Sequence, residues 1–134
     1  MGRRAGRVGD VMTVSPQPRR IGILVAGVLT IAGAAFTLAM GVLSLTAGHG
    51  IFSVGIATAL FLWAVLVGGV GVALLAGRRW ARGPVVAANL LHVFAYGEFA
   101  LTEPAAIIGS LAALAAVVCA VLPSTRAALS APTD

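Results

Sequence analysis

The sequence predicts an all-α, integral membrane fold: an up-down-up-down four-helix bundle with both termini cytoplasmic. Three observations carry this. Hydrophobic residues make up 60% of the 134 residues and charged residues 10%, whereas a soluble domain carries about 25% charged residues. The apolar residues come in continuous runs rather than in alternation, which favours helices over a β-barrel. All nine basic residues are arginines, and they fall only in the gaps between those runs.

The elements follow in order. Residues 1–20 form a basic tail with Arg3, Arg4, Arg7, Arg19 and Arg20, expected to be flexible and cytoplasmic. A transmembrane domain over 21–122 then holds spans at about 21–45, 51–76, 84–101 and 105–122. Even the last, at 18 residues, reaches about 27 Å at 1.5 Å per residue, enough to cross. Thr46-Ala47-Gly48-His49-Gly50 is a glycine-rich turn. Gly77 closes the second helix, and Pro84 opens the third near its first position. Thr102-Glu103-Pro104 supplies a cap, an acidic residue and a proline for the fourth. Loops this short make consecutive helices antiparallel neighbours. Residues 123–134, with Pro123 and Pro132, are expected to be a flexible cytoplasmic tail.

Orientation follows from the arginines. With both termini in the cytoplasm, Arg78, Arg79 and Arg82 of the second loop join Arg126 and the N-terminal five on one side, as the positive-inside rule requires. Trp80 suits an interfacial anchor. This places the chain in the inner (cytoplasmic) membrane. The first apolar run, 25 residues long, exceeds the 7–15 of a signal-peptide core, so it is read as a span. Met12 is an alternative start that keeps Arg19 and Arg20, and with them the topology. The lone Cys119 excludes a disulfide scaffold or a CxxC redox pair. A basic chain without a basic aromatic face or a motif is not expected to bind nucleic acid. Small residues at four-residue spacing offer seams for close helix approach: Gly33, Thr37 and Gly41; Gly69, Ala73 and Gly77; Ala112, Ala116 and Ala120.

The third span carries the only polar face. Asn89, His92, Tyr96 and Glu103 stand at i, i+3, i+7 and i+14, within a stripe of roughly 60° if the helix runs that far. By counting, Trp63 of the second span lies at the depth of His92, and its indole N–H needs an acceptor that His92 or Tyr96 can supply. Intramembrane polar groups either mark an ion or substrate path or serve as hydrogen bonds fixing helix register. The second account is favoured, because a neutral imidazole is cheaper to bury than a carboxylate and no span has a charge in its central part. Arg19, Arg20, Arg78, Arg79 and Arg82 make a basic collar facing lipid headgroups, each worth on the order of 1 kcal/mol near anionic lipid.

Other chemistry is missing. No zinc spacing, P-loop or nucleophile motif occurs, and His49 and His92 cannot supply paired haem ligation in the membrane. No cofactor, metal site or enzymatic activity is expected. Ile21 to Leu45 lacks the glutamate that small multidrug transporters carry in their first helix. In layout, and in the loop Gly77-Arg78-Arg79-Trp80-Ala81-Arg82, residues 19–122 resemble the small four-helix integral membrane proteins of unknown function common in actinobacteria. That resemblance implies a four-span fold and no particular activity. The expected role is an accessory or assembly subunit that interacts with other membrane proteins or with copies of itself. The alternative is a small oligomeric transporter or channel using the third-helix polar face.

Overall fold

A computed structural model describes residues 17–46, 48, 50–102 and 104–130. Arg3, Arg4, Arg7, Met12, His49 and Glu103 lie outside the described residues, as does the side chain of Arg19. Every regular element among the described residues is helical. Helix α1 is Gln17–Thr46, α2 is Ile51–Leu75, α3 is Arg82–Phe99, α4 is Pro104–Val121 and α5 is Pro123–Ser130. A 3-10 turn, Arg79–Ala81, leads into α3.

Local chemistry sets the boundaries. Pro18 lies in the first turn of α1 and Pro104 begins α4, positions where no intrahelical N–H bond is lost. Gly50 before α2 has φ 61° and Gly77 after it has φ 75°, left-handed values that favour glycine. After α2 the Gly77 amide bonds to Leu74 O and the Arg78 amide to Ala73 O, at 2.9 and 3.0 Å. These two bonds are the Schellman pattern that ends a helix on its own last carbonyls.

Two helical stretches, Arg20–Thr46 and Ile51–Leu75, are long and apolar enough to cross a membrane, each with mean hydropathy 2.3. In α4 the apolar stretch is shorter, Ala106–Val121. Helix α3 is interrupted by Arg82, Asn89, His92 and Glu98, which lowers its apolar character.

The interior is mostly small residues, with Val67, Val70, Leu74 and Val85 among the exceptions, and most large apolar side chains lie outside. Ala26, Ala34, Ala57, Ala64, Ala88, Ala113, Ala116 and Ala120 are buried, while Phe94 and Ile108 are 71% exposed and Val65 72%. Helix α1 runs through the middle and packs against each of the other four helices. Its most extensive seam is with α2, where Gly27 and Gly71 face each other. A Cβ on Gly27 would collide with the Leu75 side chain, and one on Gly71 would lie 2.9 Å from Ile31 Cγ1 and 3.4 Å from Gly27 O. Further along, a Cβ on Gly41 would come within 2.6 Å of the Phe61 ring. Gly69, by contrast, faces open space.

Residues 123–130 are not the flexible tail expected from the sequence; they form α5, which folds back onto α1. Thr125, fully buried, donates to Cys119 O at 2.7 Å and takes up one of the terminal carbonyls of α4. Gly22 of α1 makes room for that hydroxyl, since a Cβ there would strike Thr125 Oγ1. Leu129 joins Ala26, Val70, Leu74, Ala81, Val85 and Ala120 in an apolar cluster that closes this end of the bundle.

Candidate functional site

The polar face of α3 points into the bundle. Asn89 and His92 are buried and Tyr96 is half-buried. Asn89 Nδ2 donates to Val85 O of its own helix and to Thr30 Oγ1 of α1, both at 2.8 Å. Thr30 Oγ1 in turn donates to Ala26 O at 2.7 Å. The chain of donors fixes the amide: Val85 O only accepts, so the atom facing it is nitrogen. A helix-to-helix bond in the dry interior is thereby joined to two backbone carbonyls.

One turn further, Trp63 of α2 donates its indole N–H to His92 Nε2 at 3.2 Å. An indole only donates, so Nε2 is the accepting nitrogen and the neutral ring carries its proton on Nδ1. The Trp63 and His92 rings meet edge to face, with centroids 6.2 Å apart. His92 stacks on Tyr96 at 5.5 Å and 14° between planes, and Tyr96 meets Phe36 of α1 edge to face at 5.7 Å. Thr37 of α1, whose hydroxyl donates to Gly33 O at 2.9 Å, lines a neighbouring cavity together with Tyr96. Each ring has a glycine beside it. A Cβ on Gly33 would touch the His92 ring at 3.5 Å, and one on Gly109 of α4 would press on the Tyr96 ring at 3.0 Å. Ser110 of α4 completes the set with a long bond to Val93 O, 3.4 Å.

The rings separate two cavities. One, of about 310 Å³, lies between α1, α3 and α4; the other, of about 360 Å³, lies between α1, α2 and α3, and Phe36, His92 and Tyr96 line both. Among the described residues no sealed polar side-chain atom lacks a hydrogen-bond partner, and no group of three His, Cys, Asp or Glu could hold a metal ion.

The arginines gather at the opposite end from the Thr102 turn, where α1 begins, α2 ends and α3 begins. Arg20, Arg78 and Arg79 are exposed there, as is Trp80. Arg82 is half-buried and has a more specific task. Its Nε donates to Ala120 O at 2.8 Å and its Nη2 to Val121 O at 3.1 Å. It therefore caps α4, placing a cation on the negative end of that helix.

Of the residues singled out in the sequence, Asn89, His92, Tyr96 and Trp63 come together in one connected cluster. Thr30, which accepts from Asn89, was not singled out, and Thr37, beside Tyr96, was named only as a small residue of a packing seam. Their seven-residue spacing on one face of α1 is the signal that could have found them. No protein-family model, no curated protein and no solved structure matches the chain.

Proposed function

We propose that the chain is a multi-pass membrane protein whose four long helices all cross the bilayer, with both termini and the arginine collar on the cytoplasmic side. We further propose that it acts by association, as an accessory or assembly subunit of a membrane complex, rather than as an enzyme. The single observation that carries this reading is the inversion of the bundle. Most buried positions are alanine, glycine or threonine, with Val67, Val70, Leu74 and Val85 the large exceptions, while most leucine, isoleucine and phenylalanine side chains lie outside. In water an exposed apolar surface far beyond a few hundred Å² drives aggregation. In lipid it is neutral, and close backbone packing with interhelical hydrogen bonds holds the helices. The apolar windows of α1 and α2 are only 33% and 28% buried, unlike the core helix of a soluble protein.

The cluster around His92 supports association over transport. Trp63 bonds to His92 between α2 and α3, and Asn89 bonds to Thr30 between α3 and α1, two bonds that fix the register of three helices. A conducting path needs polar groups left free along its length. Tagged protein purified from native membranes in mild detergent tests the proposal. A stoichiometric complex with a distinct membrane protein is expected. A partner-free homo-oligomer whose reconstituted vesicles pass ions or solutes would overturn it in favour of the small transporter or channel.

A further inference from the structure

Asn89 and His92 each keep one polar atom once their hydrogen bonds are assigned. Both Asn89 N–H groups are taken, by Thr30 Oγ1 and Val85 O, so the side-chain carbonyl oxygen remains as an acceptor. His92 Nε2 accepts from Trp63, so Nδ1 remains as a donor. Neither atom has a partner among the described residues. Sealed atoms in that condition do not occur among the described residues, so both are reached from open space. That space is the cavity of about 310 Å³ between α1, α3 and α4, which both residues line.

We propose that this cavity binds a small lipophilic alcohol or phenol, its body against apolar walls and its hydroxyl between His92 Nδ1 and Asn89 Oδ1. The inference rests on the membrane reading above, because the cavity opens between helices whose outer faces would meet lipid. Four points select this class. Donor and acceptor lie one helical turn apart on one face, with Cβ atoms about 5–6 Å apart, and a hydroxyl is the simplest group that accepts from one and donates to the other. A ketone satisfies only His92 and leaves the Asn89 oxygen facing it unpaired. An anion or a cation would have no countercharge among the described residues that line the cavity. Water alone would satisfy the pair but leave empty most of a space many times the ~30 Å³ of one molecule, and apolar cavities stay dry.

The walls fit the rest of such a molecule. Leu29, Ile108 and the rings of Phe36 and Tyr96 surround the polar pair, and Gly33 and Gly109 keep the walls apart. Phe36 and Ile108, 42% and 71% exposed, stand at the rim, so a ligand enters sideways between α1 and α4. In the neighbouring cavity on the Trp63 side, the indole N–H and the Thr37 hydroxyl are already bonded within the protein.

The test uses the full chain in detergent micelles with two matched probes, 2-naphthol and naphthalene, and empty micelles to subtract partitioning. Saturable one-to-one binding of 2-naphthol is expected, about tenfold tighter than naphthalene for two hydrogen bonds of ordinary net strength. The ¹⁵N resonance of His92 Nδ1 should move on binding while that of Nε2 stays. Ala112→Phe, which fills the cavity from α4 without touching the polar cluster, should abolish the binding. Ala32→Phe does the same from α1 should the first variant unfold. Equal affinity for the two probes, a stationary Nδ1 resonance, or undiminished binding in both filled variants would overturn the proposal. Flotation of the chain with liposomes is scored separately. A chain that does not float refutes the membrane reading, whereas one that floats without hydroxyl selectivity refutes only the cavity assignment.

Discussion

The α1–α2 seam and the α3 face solve one packing problem in two ways. Between α1 and α2, a Cβ on Gly27 would strike the Leu75 side chain and one on Gly71 would crowd Ile31, so added volume on either is met by packed side chains. No polar side chain is needed there, because dispersion between close-packed atoms suffices. Along α3 the rings of His92 and Tyr96 stand between the helices, two cavities open beside them, and hydrogen bonds to Thr30 and Trp63 hold the register. The difference teaches where each half is vulnerable. The glycine seam is intolerant of volume and indifferent to polarity, and the α3 face is the reverse.

The strongest way to break this contrast is to add volume to the tight side. Gly27→Leu should cost about 3 kcal/mol, the upper end for overpacking, and splay or unfold the bundle in a detergent unfolding titration. Gly69→Leu, on α2 two residues before Gly71 and facing open space, should leave the midpoint unchanged. Equal effects would mean that the seam does not lie where the structure puts it.

Next in size is the loss of the Asn89 amide. Asn89→Leu should lower stability by about 1.5 kcal/mol, near the top of the range for interhelical hydrogen bonds. The same titration reads it, and an unchanged midpoint would show that the α1–α3 bond carries no weight. Arg82→Met keeps the aliphatic stem but uncaps α4, at about 1 kcal/mol. Faster hydrogen exchange confined to the last turn of α4 and to α5 is the expected signature. The smallest effect belongs to Trp63→Phe, about 0.6 kcal/mol. A double-mutant cycle with His92→Phe should recover that amount as coupling; additive effects would dissolve the indole–imidazole bond.

Much of the helix layout was legible because continuous apolar runs, proline and glycine act locally. The runs at 21–45 and 51–76 became helices 17–46 and 51–75, and those at 84–101 and 105–122 became 82–99 and 104–121. Trp63 and His92 could be matched by counting residues to equal depth. What escaped was set by distant partners. Helix α5 is short and polar by sequence, and it holds its place through Gly22, about a hundred residues earlier in the chain. Arg82 looks like one more loop charge until the carbonyls of Ala120 and Val121 arrive beside it. Thr30 resembles any small residue in an apolar run until Asn89 reaches it. Likewise, among many small-residue spacings, only the facing helix decides that Gly27 and Gly71 are buried and Gly69 is not.

The central claim is four crossings with the arginines inside, and cysteine labelling in intact cells tests it most directly. On a Cys119→Ala background, single cysteines at Thr46, Arg78, Thr102 and Ser124 would be exposed to a membrane-impermeant maleimide. The account predicts labelling of positions 46 and 102 from outside, and of 78 and 124 only after the membrane is opened. Labelling of 78 from outside, or protection of 102 in intact cells together with its labelling after permeabilisation, would contradict it.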